Sequence, residues 1–170
     1  MSQIIYKPLN GEATLVQDEF KVVRLEEDVS AQGKVLIPLA LWQAEKDAFR
    51  ARALDGELGV WLSPDCNPEV LAGDTDTIQL IAFDFPEFKF GQAYSGAVLL
   101  RTRYGFQGEI RAFGGIWRDQ LFYLARCGFT QFSLKEGKSL EDALESFKDF
   151  TIPYQTSADG ALPIFNRRVA

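Results

Sequence analysis

Histidine is absent from this chain of 170 residues. With it go the commonest general base and the commonest transition-metal ligand, so Ser-His and Cys-His nucleophile systems and histidine-ligated zinc or haem are excluded. Cysteine is scarce. Cys66 and Cys127 stand far apart and match no CxxC or iron–sulfur spacing, so no disulfide framework is expected and both thiols are expected reduced in a cytoplasmic protein. No apolar run approaches the ~18–20 residues that span a bilayer, and no signal peptide is read at the start. Basic side chains are the minority, 18 Lys and Arg against 24 Asp and Glu, for a formal net charge of −6. That balance speaks against nucleic acid as a partner, because phosphate binding needs a basic face.

Hydrophobic residues make up 46% of the chain and charged residues 25%, a globular composition at a length that fits one domain with a sizeable core. The organising stretch is 78–134, which reads strand, helix, strand, helix, strand. Ile78 to Phe83 is an apolar run of the kind buried on both faces of a sheet, ended by Asp84-Phe85-Pro86. Tyr94 to Tyr104 reads as a helix stopped by Gly105, and Ile110 to Phe113 as a strand turned by Gly114-Gly115. Trp117 to Cys127 is a helix with Trp117, Leu121 and Leu124 on one face and Gly128 as its stop, and Phe129 to Leu134 alternates like a strand. Successive βα units predict a parallel sheet.

Upstream, Val35 to Ala40 and Leu58 to Leu62 are further strands, with a helix over 42–54 between them. Asn67-Pro68 signals a short helix start, and Ser139 caps a last helix buried through Leu140, Ala143, Leu144 and Phe147. Residues 1–33 look different: Ile4 to Tyr6, Ala13 to Val16 and Phe20 to Leu25 are short strands, with Asn10-Gly11 as a hairpin turn. The expectation is a single α/β domain. It comprises an N-terminal β flap (1–33) outside the sheet, a βα core (34–150) with a mainly parallel sheet of about five strands, and a tail (151–170). A flavodoxin-like open sheet is the first choice and a partial βα barrel the alternative.

Ligands of parallel α/β sheets bind beyond the carboxyl ends of the strands. Asp84, closing a buried strand, reads either as a general base or as an acceptor that fixes a loop. Gly114-Gly115 followed by Arg118 offers free N–H groups and a cation to an anion such as phosphate or sulfite, though without GxGxxG or P-loop chemistry. Asp119 suits the positive end of the following helix and needs no function. Arg111 is a charge in a strand, facing solvent or pairing with a carboxylate such as Glu109 or Asp84. Arg101 and Arg103 read as a solvated helix face. Cys66 sits where a helix start lowers a thiol pKa while Asp65 raises it, and Cys127 reads as a small buried residue.

The segments DFPEF, YSGAVLLRTRYGFQGEIRAFG and RDQLFYLARCGF, with VLIPLALW, LGVWLSPD and Tyr154-Gln155, carry a resemblance over nearly the whole chain. They resemble an uncharacterised bacterial family, a domain of unknown function assigned to sulfite reduction as an oxidoreductase and encoded near the sulfite reductase hemoprotein. The resemblance brings forward Asp84, Tyr94, Ser95, Arg111, Gly114, Arg118, Asp119 and Gln120 as ligand-binding candidates. It also shows departures. The family's Asp-Gly-Arg-Gly-Tyr-Ser type of segment is here Phe90-Gly91-Gln92-Ala93-Tyr94-Ser95, and its Gly-Asp is Gly114-Gly115, so three charges are missing. No flavin, nicotinamide or metal fingerprint is visible, and no cofactor is expected. The resemblance therefore implies an accessory protein of assimilatory sulfite reduction that binds the hemoprotein, which would hold the redox cofactor. The tail residues Leu162, Ile164 and Phe165 and exposed aromatics are the expected contacts. The rival expectation is a small-molecule enzyme or sensor for an anionic metabolite at the strand ends; a homodimer with a vestigial site is the third.

Overall fold

The computed structural model describes residues 2–24, 29, 32–87, 91–150 and 154–161. Eight strands form one sheet: β1 Gln3–Tyr6, β2 Thr14–Gln17, β3 Phe20–Val22, β4 Lys34–Pro38, β5 Leu58–Leu62, β6 Leu80–Phe85, β7 Glu109–Gly114 and β8 Gln131–Phe132. Their order across the sheet is β2-β1-β8-β7-β6-β5-β4-β3. From β3 to β8 every neighbour is parallel and consecutive in the chain, while β1 runs antiparallel to both β8 and β2.

This corrects the expected sheet in three ways. It has eight strands rather than about five, and it is mixed rather than mainly parallel. The strand order never reverses, so there is no switch point of the flavodoxin kind. The winding is that of the barrel alternative, stopped as a curled half-barrel. The N-terminal segment is not a flap apart from the sheet: β3 extends the parallel run, and the β1–β2 hairpin closes the other side. The pairing of β1 with β8 brings Tyr6 beside Gln131, and no local pattern announces a partnership at that separation.

The curl carries the two edge strands toward each other. β2 ends at Gln17 and β3 begins at Phe20, so Asp18 and Glu19 alone join strands at opposite ends of the sheet order. Asp18 secures this link: its N–H donates to the Ser2 carbonyl at 2.9 Å, and its Oδ1 accepts from the Phe20 N–H at 3.1 Å.

The helices are α1 Leu39–Ala44, α2 Lys46–Leu54, α3 Gln92–Thr102, α4 Leu121–Arg126 and α5 Leu140–Glu145. The helix expected over 42–54 is two, broken at Glu45, whose dihedrals leave the helical region. A 3₁₀ turn over Pro68–Leu71 starts at Asn67, whose side chain accepts from the Glu69 N–H as a cap should. Ser139 caps α5 through the Asp142 N–H.

Alternation along each strand divides the sheet into two faces. Val35, Ile37, Leu58, Val60, Leu62, Ile81, Phe83, Phe85, Ile110, Ala112 and Phe132 point outward and join Leu41, Trp42, Ala93, Ala97, Leu100, Leu121 and Leu124 in the main core. The concave face holds a smaller apolar cluster, Leu36, Leu80, Ala82 and Phe113, with Phe20, Val22 and Trp61 packed on it. Its polar members are Asp84 on β6, Glu109 and Arg111 on β7, and Gln131 on β8. The apparent oddity of charges in buried strands thus has one cause: this face of the sheet is not packed by helices.

Arg101 on α3 is the clasp of the layer outside. It donates to the carbonyls of Phe106, Gly108 and Gly128, at 2.9, 2.6 and 2.9–3.1 Å. The expected solvated arginine is therefore a half-buried tie between the α3–β7 and α4–β8 connections. Burial pushes its guanidinium down to about 10, which leaves it charged at neutral pH.

Candidate functional site

The concave face carries two arginine-centred clusters. At the carboxyl end of the parallel strands, Arg24, two residues past β3, reaches over to β6 and donates from Nη1 to Asp84 Oδ2 at 2.8 Å. Its guanidinium carbon lies 5.4 Å from the Trp61 ring centre and 5.8 Å from that of Phe113. These two rings meet edge to face at 6.2 Å, and Trp61 Nε1 donates to the Val23 carbonyl at 2.9 Å, so the aromatic floor is fixed. The Asp84 side chain is 11% exposed and that of Arg24 57%. Arg24 has no further hydrogen bond among the described residues, so its other nitrogens face outward with donors to spare.

Gly114 makes this cluster possible. Its φ is +101°, and a Cβ there would stand 2.7 Å from the Phe85 carbonyl oxygen and 2.8 Å from Asp84 Oδ1. The Gly115 N–H then donates to the Phe85 carbonyl, holding the β7 exit against the β6 exit. The glycine pair serves the approach of two strand ends.

Around the middle of β7 lies the second cluster. Arg111 is 2% exposed. Its Nε donates to Gln131 Oε1 at 2.8 Å, its Nη1 to Asp18 Oδ1 at 2.9 Å, and its guanidinium carbon sits 5.3 Å from the Phe20 ring centre. Burial pushes the guanidinium pKa down, and the Asp18 carboxylate offsets part of that. Arg111 pairs with neither Glu109 nor Asp84, the two partners read from the sequence, but with Asp18 from the link between the sheet edges. Glu109 accepts from the Tyr6 hydroxyl at 3.2 Å and from the Thr130 hydroxyl.

The remaining candidates lie on the helix side of the sheet. Tyr94, in the first turn of α3, packs its ring on Phe85 and Tyr123, and its hydroxyl accepts from Gln120 Nε2 at 3.0 Å. Burial raises its pKa. Gln120, itself buried, uses its Oε1 to accept the Trp117 N–H at 2.9 Å, so Gln120 and Tyr94 together set the entry of the 3₁₀ turn Arg118–Gln120 that leads into α4. Arg118 turns away from Gly114. It lies 3.3 Å from Asp142 and 3.4 Å from Asp149, tying the turn to α5 and the segment after it. Ser95 and Asp119 are exposed. The structure thus brings Asp84 and Gly114 together, and Tyr94 with Gln120, and sets Arg111 apart from both pairs.

Sequence reasoning missed Arg24, Asp18 and Trp61. Arg24 and Asp18 flank a three-residue edge strand in a segment read as a separate flap, and only the curl of the sheet brings them to β6 and β7. Phe90 and the tail residues Leu162, Ile164 and Phe165 lie outside the described residues. Among the described residues, no three His, Cys, Asp or Glu side chains group closely enough to hold a metal ion, and no helix is long and apolar enough to cross a membrane. Burial, and then Asp65, push the Cys66 thiol up.

A curled, mixed α/β sheet with charged clusters on its concave face is the class of molecule these features define. The chain belongs to the family described as bacterial protein of unknown function (DUF934), whose model matches residues 59–165. That range takes in β5 to α5 and both strands that carry Asp84 and Arg111. No curated protein and no solved structure matches the chain.

Proposed function

We propose that the protein serves assimilatory sulfite reduction as an accessory partner of the sulfite reductase hemoprotein, in the cytoplasm, leaving the redox cofactor to that partner. The resemblance of its segments to the sulfite-reduction family motivates the pathway. One observation about the surface carries the partner role. Of the large hydrophobic side chains exposed among the described residues, Trp117, Tyr123, Phe150 and Tyr154 all border the RDQLFYLARCGF segment. Trp117 immediately precedes it and Tyr123 lies within it. Phe150 packs on Phe122 at 5.1 Å between ring centres, and Tyr154 adjoins Gln155, whose carbonyl accepts from Arg126. Exposed aromatics gathered around one segment are the usual anchors of an interface. The two free thiols suit a reducing compartment.

Native mass spectrometry of this protein mixed with the hemoprotein of the same cell tests the reading. A stoichiometric complex is expected at micromolar concentration, weakened at least tenfold by Trp117→Ala combined with Tyr123→Ala. Two separate species in low and moderate salt would end it.

A second reading is favoured by Arg24. Held by Asp84 over two aromatic rings with unused donors, it is suited to an anionic metabolite at the strand ends. Sulfite or phosphate is then expected to raise the melting temperature, and Arg24→Ala to abolish the rise. An unchanged melting temperature with both anions argues against it.

A further inference from the structure

A cavity of about 430 Å³ lies on the concave face between the β1–β2 hairpin and strands β3, β4 and β7. Ile4, Val16 and Phe20 give it apolar walls, and Glu109, Arg111 and Gln131 line it from the sheet. Two features of its charges are unusual. The Arg111 guanidinium, 98% withdrawn from solvent, is held by Nε on Gln131 and Nη1 on Asp18, yet Nη2 has no hydrogen bond among the described residues. Nη2 is not among the buried atoms left without a partner, so it opens onto the cavity, where water or a ligand can meet it.

Glu109 is the counterpart. Both its oxygens accept hydroxyl protons, from Tyr6 and Thr130, and neither meets a cation within ion-pair distance among the described residues. Hydroxyl donors hold a carboxylate in place without neutralising it. Glu109 and Arg111 leave the same face of one strand two residues apart, about 6.7 Å between Cα atoms. The cavity thus presents an open guanidinium donor and a carboxylate that makes no ion pair among the described residues, side by side, over apolar walls. The other cation at the rim, Lys34, is already paired with Glu19.

We propose that this cavity binds a small zwitterion, a free α-amino acid, with its carboxylate on Arg111 Nη2 and its ammonium toward Glu109. With Arg111 paired to Asp18 and Lys34 to Glu19, a simple anion would be repelled by Glu109 and a simple amine would leave Arg111 Nη2 without an acceptor, whereas a molecule carrying both charges satisfies both groups. Val16 and Ile4 would cover the ligand's side chain, which the volume limits to a modest size. The inference does not depend on the pathway reading or on the Arg24 cluster.

The test is a heteronuclear NMR titration of the full chain with each of the twenty proteinogenic L-amino acids up to 10 mM. Propionate and propylamine serve as single-charge controls. At least one amino acid is expected to shift the amides of Tyr6, Arg111 and Gln131, with both controls at least tenfold weaker. Glu109→Gln, which retains shape and acceptors, should weaken that amino acid at least tenfold. Val16→Trp, at a half-buried position on the cavity wall, should abolish binding while the spectrum stays folded. Silence from all twenty would overturn the proposal. So would equal binding of propionate, or indifference to Glu109→Gln.

Discussion

Asp18 makes three contacts with one side chain and one amide: its carboxylate accepts from the Phe20 N–H and from Arg111, and its own N–H donates to the Ser2 carbonyl. Removing it would leave a buried guanidinium without its counter-charge. Asp18→Ala is expected to cost about 3–5 kcal/mol in urea unfolding, the range for breaking one side of a buried pair. Asp18→Asn, which keeps the turn acceptor, should cost less. Arg101 illustrates a different economy, since its partners are all backbone carbonyls. Arg101→Met should lose about 2–4 kcal/mol, because the carbonyls of Phe106, Gly108 and Gly128 would lose a charged donor. At the thiols the sign is set by burial. Cys66 and Cys127 both hold their protons to higher pH than an unfolded chain would. The native state then binds more protons than the unfolded state above the ordinary thiol pKa of about 8.5, so stability falls as pH rises beyond it. Cys127→Ala should flatten that decline above about pH 8.5 in unfolding experiments. Cys66 should alkylate more slowly at pH 7.5 than a free thiol of small-molecule type.

At the level of elements, the β6 and β7 exits depend on one backbone conformation. Gly114→Ala would place a methyl group against both the Phe85 carbonyl and Asp84 in a left-handed conformation that side chains disfavour. A loss of about 2–3 kcal/mol is expected, combining strain and displacement of Asp84, read by thermal unfolding. The glycine pair itself was visible in the sequence as a strand-to-helix turn; that it makes room for Asp84 was not, since the clash is with the neighbouring strand. The strands β5, β6 and β7 and the helices α3, α4 and α5 were legible because their apolar patterns are local. Arg111 stood out in sequence as a charge among apolar neighbours, yet its partner lay 93 residues away. Arg118 looked free beside Gly114 because α5, which supplies its carboxylate, is not adjacent in the chain.

Over the whole molecule, the βα rhythm was legible and the sheet order was not. Repeated βα units give the same pattern whether strands are laid down consecutively or from a switch point, and the difference lies in the connections' paths. The N-terminal strands were recognised individually but assigned elsewhere, since nothing in residues 2–24 encodes proximity to β8. Their role in the sheet implies that a chain lacking residues 1–19 loses Asp18 and one wall of the concave cavity. Such a truncation should give a less cooperative urea transition with a lower midpoint, measured by tryptophan fluorescence.

The same arrangement sets a timetable during synthesis. β4 to β8 can each pair with the strand made just before, but β1 must wait for β8, about 125 residues later. At ~5–20 residues per second on the ribosome, that is roughly 6–25 seconds in which the first hairpin has emerged without its place in the sheet. The Asp18–Arg111 contact likewise waits for a residue made 93 positions later, so the first residues translated are among the last to be secured.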